Sequence, residues 1–385
     1  MHNPWPESDP AVMAPVEEHE ELRRVVRSVL VKYADHDQVR AAADTEVGYS
    51  DDLWRRLNQD LAVGHLTMPE DRGGHGFGVR ELAVLLEETG AALLPEPVLV
   101  SAVLGCHALA AADDDEFSEL LAAAMAGHRV VTVSLGGQEA STMPGSRSAS
   151  GAAGELVATH DSRTWRLNGV AHAVLQASAA DVAILPASGP EGPVLVAVET
   201  AAALTEPRAV VDLTRRRGDL RFTDASARLL VGPGRYADVS HRLRLLSQVG
   251  VAAEHTGIVA ALLDRTRAYV TERHQFGRPI GSFQAIKHRL ADVLVDLERA
   301  RSASRYAAAV LEEDPRNAEL AVAVASAVCG DGALRAAHEA VQLHGGMGFT
   351  WEHPAHYYLR RVLGDEGLFG PSRERRARIA ELVGV

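Results

Sequence analysis

Residues 273–292 carry side chains suited to binding an anion together with a flat ring. The segment reads RHQFGRPIGSFQAIKHRLAD. Arg273 offers a fork of N–H donors for phosphate or carboxylate, Phe276 offers an aromatic face, and the amide of Gln284 can reach back toward both. In an alternative interpretation, Arg273 pairs with a neighbouring acid and Phe276 belongs to the core. The segment alone leaves the binding and the structural interpretation open.

Helices on either side must position this segment. Gly277, Pro279 and Gly281 interrupt the helical period after Arg273, and Ser282 has the side chain of an N-cap for a second helix. The pattern therefore predicts a helix–turn–helix corner. Before it, apolar residues recur at helical spacing, which predicts a buried helix: Leu246, Val249, Ala253, Val259 and Leu263.

A second glycine-rich segment, QLHGGMGFT, begins at Gln342 and follows a predicted helix. Gly345, Gly346 and Gly348 allow another backbone or a ligand to approach closely, and the Gln342 amide supplies a donor and an acceptor. A Gly-Gly turn after a helix is usually only a C-cap. This segment therefore identifies no ligand by itself.

Together the two segments resemble the signature of the acyl-CoA dehydrogenase family. The matching patterns are Arg-x-Gln-Phe-Gly-x-Pro-Ile-x-x-Phe-Gln, from Arg273, and Gln-x-x-Gly-Gly-x-Gly, from Gln342. In that family both segments hold the pyrophosphate and adenosine of an FAD that belongs to the neighbouring subunit. The resemblance implies FAD as the cofactor and the following cofactor-binding residues: Arg273, Gln275, Phe276, Gln284, Gln342, Gly345 and Gly346.

The order of predicted elements agrees with this resemblance. Residues 1–126 show helical spacing, residues 127–235 short alternating runs, and residues 236–385 helical spacing again. A layered α/β fold would instead alternate strand and helix throughout. We therefore expect an α+β fold of the acyl-CoA dehydrogenase type, with an N-terminal helical domain, a middle β-barrel or sandwich domain and a C-terminal four-helix bundle.

The middle segment predicts seven or eight strands. Residues 136–154, rich in Gly, Ser and Ala, predict a mobile loop, and residues 1–15 a loose lead-in. The runs that predict strands are 131–135, 156–159, 164–168, 181–186, 193–198, 208–213, 219–222 and 228–231.

The resemblance implies α,β-dehydrogenation of an acyl thioester of CoA or an acyl-carrier protein, in which a carboxylate removes the α-proton and hydride passes to the flavin. The family's two positions for that carboxylate fall on Phe369 and Ser247, neither of which is a base. Three carboxylates lie nearby. Glu366 would need a small shift, Glu254 is expected in an interhelical ion pair, and Asp365 at a solvated helix end. The catalytic base is left unassigned.

The residues expected around the chain's own flavin are incomplete. Ser134 can bond the pyrimidine edge of the ring, but the aromatic residue expected near Ala173 and the hydroxyl expected near Leu175 are missing. The residues for a neighbour's FAD are better retained. The resemblance implies a homo- or hetero-oligomer, a dimer or tetramer, with FAD at the subunit interface, and the missing base suggests that this chain is the base-lacking subunit of a hetero-oligomer. An electron-transfer flavoprotein is a further expected partner.

Two other functions stay open, a flavin-dependent oxidase or monooxygenase on the same fold and a non-catalytic scaffold subunit. A net charge of −13 argues against a nucleic-acid-binding surface. Cys106 and Cys329 lie among small apolar residues, which predicts buried thiols in a reducing cytoplasm. Neither a metal-binding Cys/His spacing nor a membrane-length apolar run occurs, so we expect no metal and no membrane insertion.

Overall fold

The computed structural model describes residues 16–112, 114–135, 156–161 and 164–385. The predicted lead-in and the predicted loop at 136–154 lie outside these residues. In the described residues the chain forms eleven α-helices: α1 (Glu17–Tyr33), α2 (His36–Ala43), α3 (Asp51–Gln59), α4 (Val79–Ala91), α5 (Cys106–Ala110), α6 (Ser118–Met125), α7 (Pro233–Glu272), α8 (Gln284–Glu313), α9 (Ala318–His344), α10 (Ala355–Phe369) and α11 (Ser372–Val383). A buried π-helix, Val98–Gly105, precedes α5.

The strands of the main sheet lie between α6 and α7, so the predicted order of helices, strands and helices is confirmed, and one short strand pair follows α7. In the described residues they are β1 (Val131–Val133), β2 (Val157–His160), β3 (Trp165–Leu175), β4 (Val182–Gly189), β5 (Gly192–Glu199), β6 (Leu204–Pro207) and β7 (Arg217–Val231), with a separate pair, β8 (His274–Gln275) and β9 (Arg278–Pro279).

Contacts divide the chain into two compact units. The first comprises the residues up to Ala41, Gly78–Leu94 and Gln248–Val385, and the second comprises Ala42–Phe77 and Pro95–Ser247. The boundaries at 126/127 and 235/236 therefore stay a prediction about domains. The helical, β and helical order of elements is nevertheless the one expected for the α+β class.

Close helix packing organises the first unit, where α9 lies against α8, α10 and α11. A Cβ on Gly257 of α7 would lie 1.8 Å from the Glu87 carbonyl oxygen of α4, and a Cβ on Gly90 would lie 2.3 Å from the Glu254 carbonyl oxygen. Glycine is required at both positions because any side chain would separate the helices. These two residues therefore let the α4 and α7 backbones touch.

The sheet of the second unit closes on itself. Strands pair in the order β4, β2, β3, β7, β5 and back to β4, while β1 and β6 extend β4 and β7. The β1–β4 and β2–β4 pairs are parallel and the others antiparallel. Closure removes exposed strand edges around an apolar interior that includes Leu167, Leu185 and Phe222. Of the predicted barrel or sandwich, the closed sheet corresponds to the barrel.

Two strand predictions were wrong in detail. Residues 208–213 form no strand, because the Asp212 carboxylate accepts bonds from the Thr214 amide at 2.9 Å and hydroxyl at 2.6 Å. Such a local side-chain turn replaces ladder hydrogen bonds. The runs at 219–222 and 228–231 belong to one strand, β7, rather than two.

Two helical stretches are long and apolar enough to cross a bilayer by length and composition, Pro233–Glu272 and Pro315–Phe349. Their most apolar windows are 83% and 61% buried within the protein. That burial is typical of helices in a protein core, and length and composition alone are weak indicators of a membrane span.

Candidate functional site

The predicted helix–turn–helix corner is confirmed, and its turn is a β-hairpin. β8 pairs with β9, and the two residues between them, Phe276 and Gly277, have φ of 52° and 79°. Two consecutive positive φ values characterise a type I′ turn. The prediction that Ser282 caps the next helix was wrong, because a 3₁₀ turn, Ile280–Ser282, intervenes and Phe283 occupies the N-cap position without a side-chain cap.

The hairpin presents its side chains to solvent. Phe276 is 91% exposed, which rules out the interpretation of this residue as core. Its ring meets Phe283 edge-on at a centroid distance of 6.2 Å. The exposed Arg273 side chain makes no hydrogen bond or ion pair within the described ranges, whereas its backbone carbonyl accepts from Ile280 N–H at 2.8 Å. The backbone is thus fixed while the guanidinium remains available.

The two predicted amides are also exposed. Gln275 Nε2 donates to the carbonyl of His274 at 2.8 Å, and this hydrogen bond does not involve Gln275 Oε1. Gln284, the first residue of α8, contacts His288 Nε2 at 3.5 Å. Arg278 lies over the Phe283 ring at 4.0 Å. The corner therefore combines positive charge, amides and aromatic faces on one short segment.

The second predicted segment lies at the end of α9. Gln342 is exposed, and its side chain has no hydrogen bond among the residues that the structure describes. A Cβ on Gly345 or Gly346 would meet no described atom within 4 Å, whereas one on Gly348 would lie 2.9 Å from the Val341 carbonyl oxygen. Gly348 is therefore needed for packing, and Gly345 and Gly346 leave their backbone open to a ligand.

An aromatic contact that sequence reasoning missed joins the two segments. Tyr269, one turn before Arg273 on α7, stacks on His344, the last residue of α9, at a centroid distance of 4.4 Å and an angle of 28°. His353 lies 4.3 Å from His344 at 49°. Tyr269, His344 and His353 are called the aromatic stack below. The only sequence signal was an aromatic residue beside each motif.

Ser134 lies in the second unit, just after β1. Its backbone N–H donates to the Ile184 carbonyl at 3.0 Å, and its side chain is half-buried. No aromatic side chain stands at Ala173, whose φ is 54°, and the Leu175 carbonyl accepts from Thr132 Oγ1 at 2.6 Å. Strand β3 therefore supplies neither the aromatic side chain nor the hydroxyl that the sequence resemblance implies beside the flavin ring.

The residues at and near the expected base positions are mostly buried. Ser247 is 2% exposed, Glu254 is 5% exposed and Asp365 is 1% exposed. The prediction of a solvated Asp365 was wrong, because Asp365 Oδ2 lies 3.1 Å from His255 Nε2 inside the helical unit. Helix α10 turns this residue inward, four residues before Phe369. Glu366, on the next position, is half-buried.

The first unit fits the phosphate and adenosine parts of FAD. An available guanidinium, exposed amides, an aromatic face and two open glycines are the groups that an anionic nucleotide with a flat base requires. The ring-side residues of the second unit fit less well, because Ala173 supplies no stacking surface. Within the described ranges no three His, Cys, Asp or Glu side chains are grouped as metal ligands would be.

Comparisons with known proteins agree with this geometry. Residues 16–127 match the acyl-CoA dehydrogenase N-terminal domain, and residues 245–384 match the acyl-CoA dehydrogenase C-terminal domain. The acyl-CoA dehydrogenase IpdE2 of Mycobacterium tuberculosis is 33% identical over 371 residues, which cover 96% of this chain and 99% of IpdE2.

Two solved structures share the fold along nearly the whole chain. A chain of the ChsE4-ChsE5 complex from Mycobacterium tuberculosis is 29% identical with a TM-score of 0.86, covering 97% of this chain and 99% of that one. A chain of a variant of the Tcur3481-Tcur3483 steroid acyl-CoA dehydrogenase is 29% identical with a TM-score of 0.83, covering 96% of this chain and 98% of that one. The chain thus belongs to the acyl-CoA dehydrogenase family, whose members are FAD-dependent oxidoreductases.

Proposed function

We propose that this chain is the base-lacking subunit of a mixed acyl-CoA dehydrogenase assembly and completes the FAD site of a base-bearing partner. The observation that carries the proposal is a contrast within the chain. Arg273 and Gln342 are exposed and have no side-chain partner in the described residues, whereas Phe369 and Ser247 stand at the two positions to which the sequence resemblance assigns the family's base. The chain retains groups that bind the cofactor and lacks the group that removes a proton.

The binding residues act through local charge and open backbone. The chain carries a net charge of −13, so an anionic cofactor must be held by well-aimed donors rather than by the general field. Arg273 would contact the pyrophosphate, Phe276 the adenosine, and the Gln342 amide with Gly345 and Gly346 the adjoining edge. Bound FAD supplies the hydride acceptor. The proton acceptor is the part that the partner must provide.

An exposed apolar face supports assembly. An open groove of about 850 Å³ lies along α8, and Leu294 and Val295 in it are 48% and 57% exposed. Tyr306 and Val328 also line it. Exposed apolar side chains beside the charged Glu298 and Arg299 are the kind of surface that supports contact with another chain. We propose a dimer or tetramer in which FAD lies at the subunit interface, built from two different chains, as the names ChsE4-ChsE5 and Tcur3481-Tcur3483 indicate for those two relatives.

The proposed substrate is an acyl thioester with a bulky acyl group. One solved relative is named a steroid acyl-CoA dehydrogenase, which favours a steroid-like side chain here. The carrier is CoA or an acyl-carrier protein. Each oxidation releases two electrons, so an acceptor is required, and we propose an electron-transfer flavoprotein. Cys106 and Cys329 are buried thiols, which supports a reducing cytoplasm.

The test is the ratio of flavin to protein in the purified chain alone and after co-expression with a base-bearing acyl-CoA dehydrogenase encoded beside it. We expect no retained flavin in the lone chain and about one FAD for every two chains in the complex. Arg273→Leu in this chain should lower that ratio, whereas Arg267→Leu, at an exposed arginine near the end of α7, should not.

A lone homo-oligomer that carries FAD and oxidises an acyl-CoA would overturn the mixed assembly. If that homo-oligomer instead consumed oxygen and released peroxide or a hydroxylated product, the oxidase or monooxygenase alternative would hold. A complex without flavin would indicate a scaffold subunit.

A further inference from the structure

We propose that the aromatic stack positions both nucleotide-holding segments as one surface, with His353 as the residue on which its geometry depends. The inference rests on the proposed function only in that Arg273 and Gln342 contact FAD. Tyr269 precedes Arg273 by one helical turn, and His344 immediately precedes Gly345. A contact between these two rings therefore fixes the distance between the hairpin and the glycine turn.

The hydrogen bonds define how His344 is held. His344 Nδ1 donates to the Ala340 carbonyl at 2.7 Å, because a carbonyl can only accept, so the ring plane is fixed to the last turn of α9. The His344 ring contacts the ring of Tyr269, which stacks on it, and the ring of His353, which is tilted against it. His344 is 5% exposed. Because the His344 ring is buried and cannot rotate freely, its contact with Tyr269 holds the glycine turn at a fixed place relative to α7.

His353 has a second role at the start of α10. The Ala355 N–H donates to His353 Nδ1 at 3.2 Å, so this nitrogen carries no proton and the neutral ring caps the helix. Protonation would remove the acceptor and place a cation at the positive end of the helix dipole. Both effects would move the His353 ring out of its position at the start of α10, where it contacts His344.

Charged or titratable groups on each element packed against His353 disfavour its protonation. Arg265 reaches it from α7, His36 from α2, His344 from the end of α9 and His356 from α10. Burial and these groups lower the pKa of His353 to about 4. Burial also lowers the pKa of His344. At neutral pH the stack is therefore uncharged, and acid is the condition that separates its rings.

The first experiment measures FAD affinity in whichever oligomer of this chain binds flavin. The flavin is removed, and the apoprotein is titrated with FAD while flavin fluorescence is recorded. We expect Tyr269→Leu to weaken FAD binding by about three- to tenfold, the effect of losing one aromatic pair. Tyr269→Phe keeps the ring and should bind FAD as the natural chain does. Tyr236→Leu, at the other end of α7, controls for general destabilisation.

The second experiment uses pH to separate positioning from charge. Protonated histidines near a nucleotide would attract its phosphates, so charge alone predicts tighter FAD binding as the pH falls from about 6.5, the ordinary histidine pKa, to about 4, the pKa of His353. Opening of the stack predicts weaker binding over that range. His353→Asn retains a cap acceptor for Ala355 and cannot gain a proton, so its weakened affinity should lose the pH dependence.

Unchanged FAD affinity in Tyr269→Leu, or binding that tightens with acid to the same degree in the natural chain and in His353→Asn, would overturn the inference. If Tyr269→Leu fails to fold, the pH slopes of the natural chain and His353→Asn decide the question. Failure of the proposed function is distinguished because it changes which chains assemble around FAD, whereas this test compares variants within one assembly.

Discussion

His255 Nε2 lies 3.1 Å from Asp365 Oδ2, a contact that joins α7 to α10 in the interior of the helical unit. Their side chains are 7% and 1% exposed. A methyl group at Gly330 of α9 would lie 3.0 Å from Ser372 Oγ of α11 and 3.9 Å from His255 Nδ1. The pair therefore occupies a point where four helices converge, which favours a structural role for Asp365 over proton transfer.

Asp365→Ala should lower the free energy of unfolding by about 3 kcal/mol, because it leaves His255 buried without this acceptor. Asp365→Asn keeps a polar group of the same size and should cost about 1 kcal/mol. Urea unfolding of the purified chain measures both. Glu381→Gln, which removes an exposed contact with Arg378, is the control and should change stability by less than about 0.5 kcal/mol. A stable Asp365→Asn complex without dehydrogenase activity would instead assign Asp365 to the chemistry.

Glu96, in the second unit, makes stability depend on pH. Its Oε1 accepts from the Ser50 N–H at 3.1 Å, and its Oε2 is buried without a hydrogen-bond partner among the described residues. Burial raises the pKa of Glu96 from 4.5 to about 7. The folded state therefore retains the proton where the unfolded state has lost it. This contribution is complete below the unfolded pKa and disappears as the pH rises through the folded one.

Glu96→Gln should accordingly stabilise the protein at alkaline pH. The amide cannot ionise, so the free energy of unfolding at about pH 8 should exceed that of the natural chain by about 2 kcal/mol, with little difference at about pH 4. Urea unfolding at both pH values provides the comparison. An equal difference at the two values would show that the ionisation of Glu96 does not control stability.

Local sequence patterns predicted the order of helices and strands, but they could not predict contacts between residues far apart in the sequence. Glycine and proline after Arg273 predicted the corner, because turn residues act within a few positions. Burial of Asp365 depends on His255, which is 110 residues away in sequence, and the stack joins Tyr269 to His344. The failed strand at 208–213 has a local cause, the hydrogen bonds of Asp212, that apolar alternation conceals.

Glu366 tests the absence of a base from this chain. It is half-buried on α10, three residues before Phe369. In the assembled enzyme we expect Glu366→Gln to retain turnover within about twofold, because removing a true general base costs about a hundredfold or more. Steady-state oxidation of an acyl-CoA measures the effect, with the exposed Glu352→Gln as control. A loss near a hundredfold confined to Glu366→Gln would place the base in this chain.

Phe276 has a strained backbone conformation and an exposed ring. Substitution should therefore change the stability of the chain and its binding of FAD in different directions. It holds φ at 52° at the first position of a type I′ turn, where asparagine is preferred and a bulky side chain is strained. Its edge-on contact with Phe283 compensates for little of this strain, since the ring is 91% exposed. Phe276→Asn should therefore leave the lone chain as stable as before, or more stable by about 1 kcal/mol.

The same substitution should weaken the assembled protein, because the exposed ring is available to the nucleotide or to the neighbouring subunit. We expect lower FAD content and a lower assembled fraction on size-exclusion chromatography. Phe77→Asn replaces a half-exposed phenylalanine outside both segments and should leave FAD content unchanged. Phe276→Asn would instead destabilise the lone chain and retain full FAD content only if the ring stabilises the hairpin. In that case contacts within the chain, rather than a ligand, would compensate for the backbone strain at Phe276.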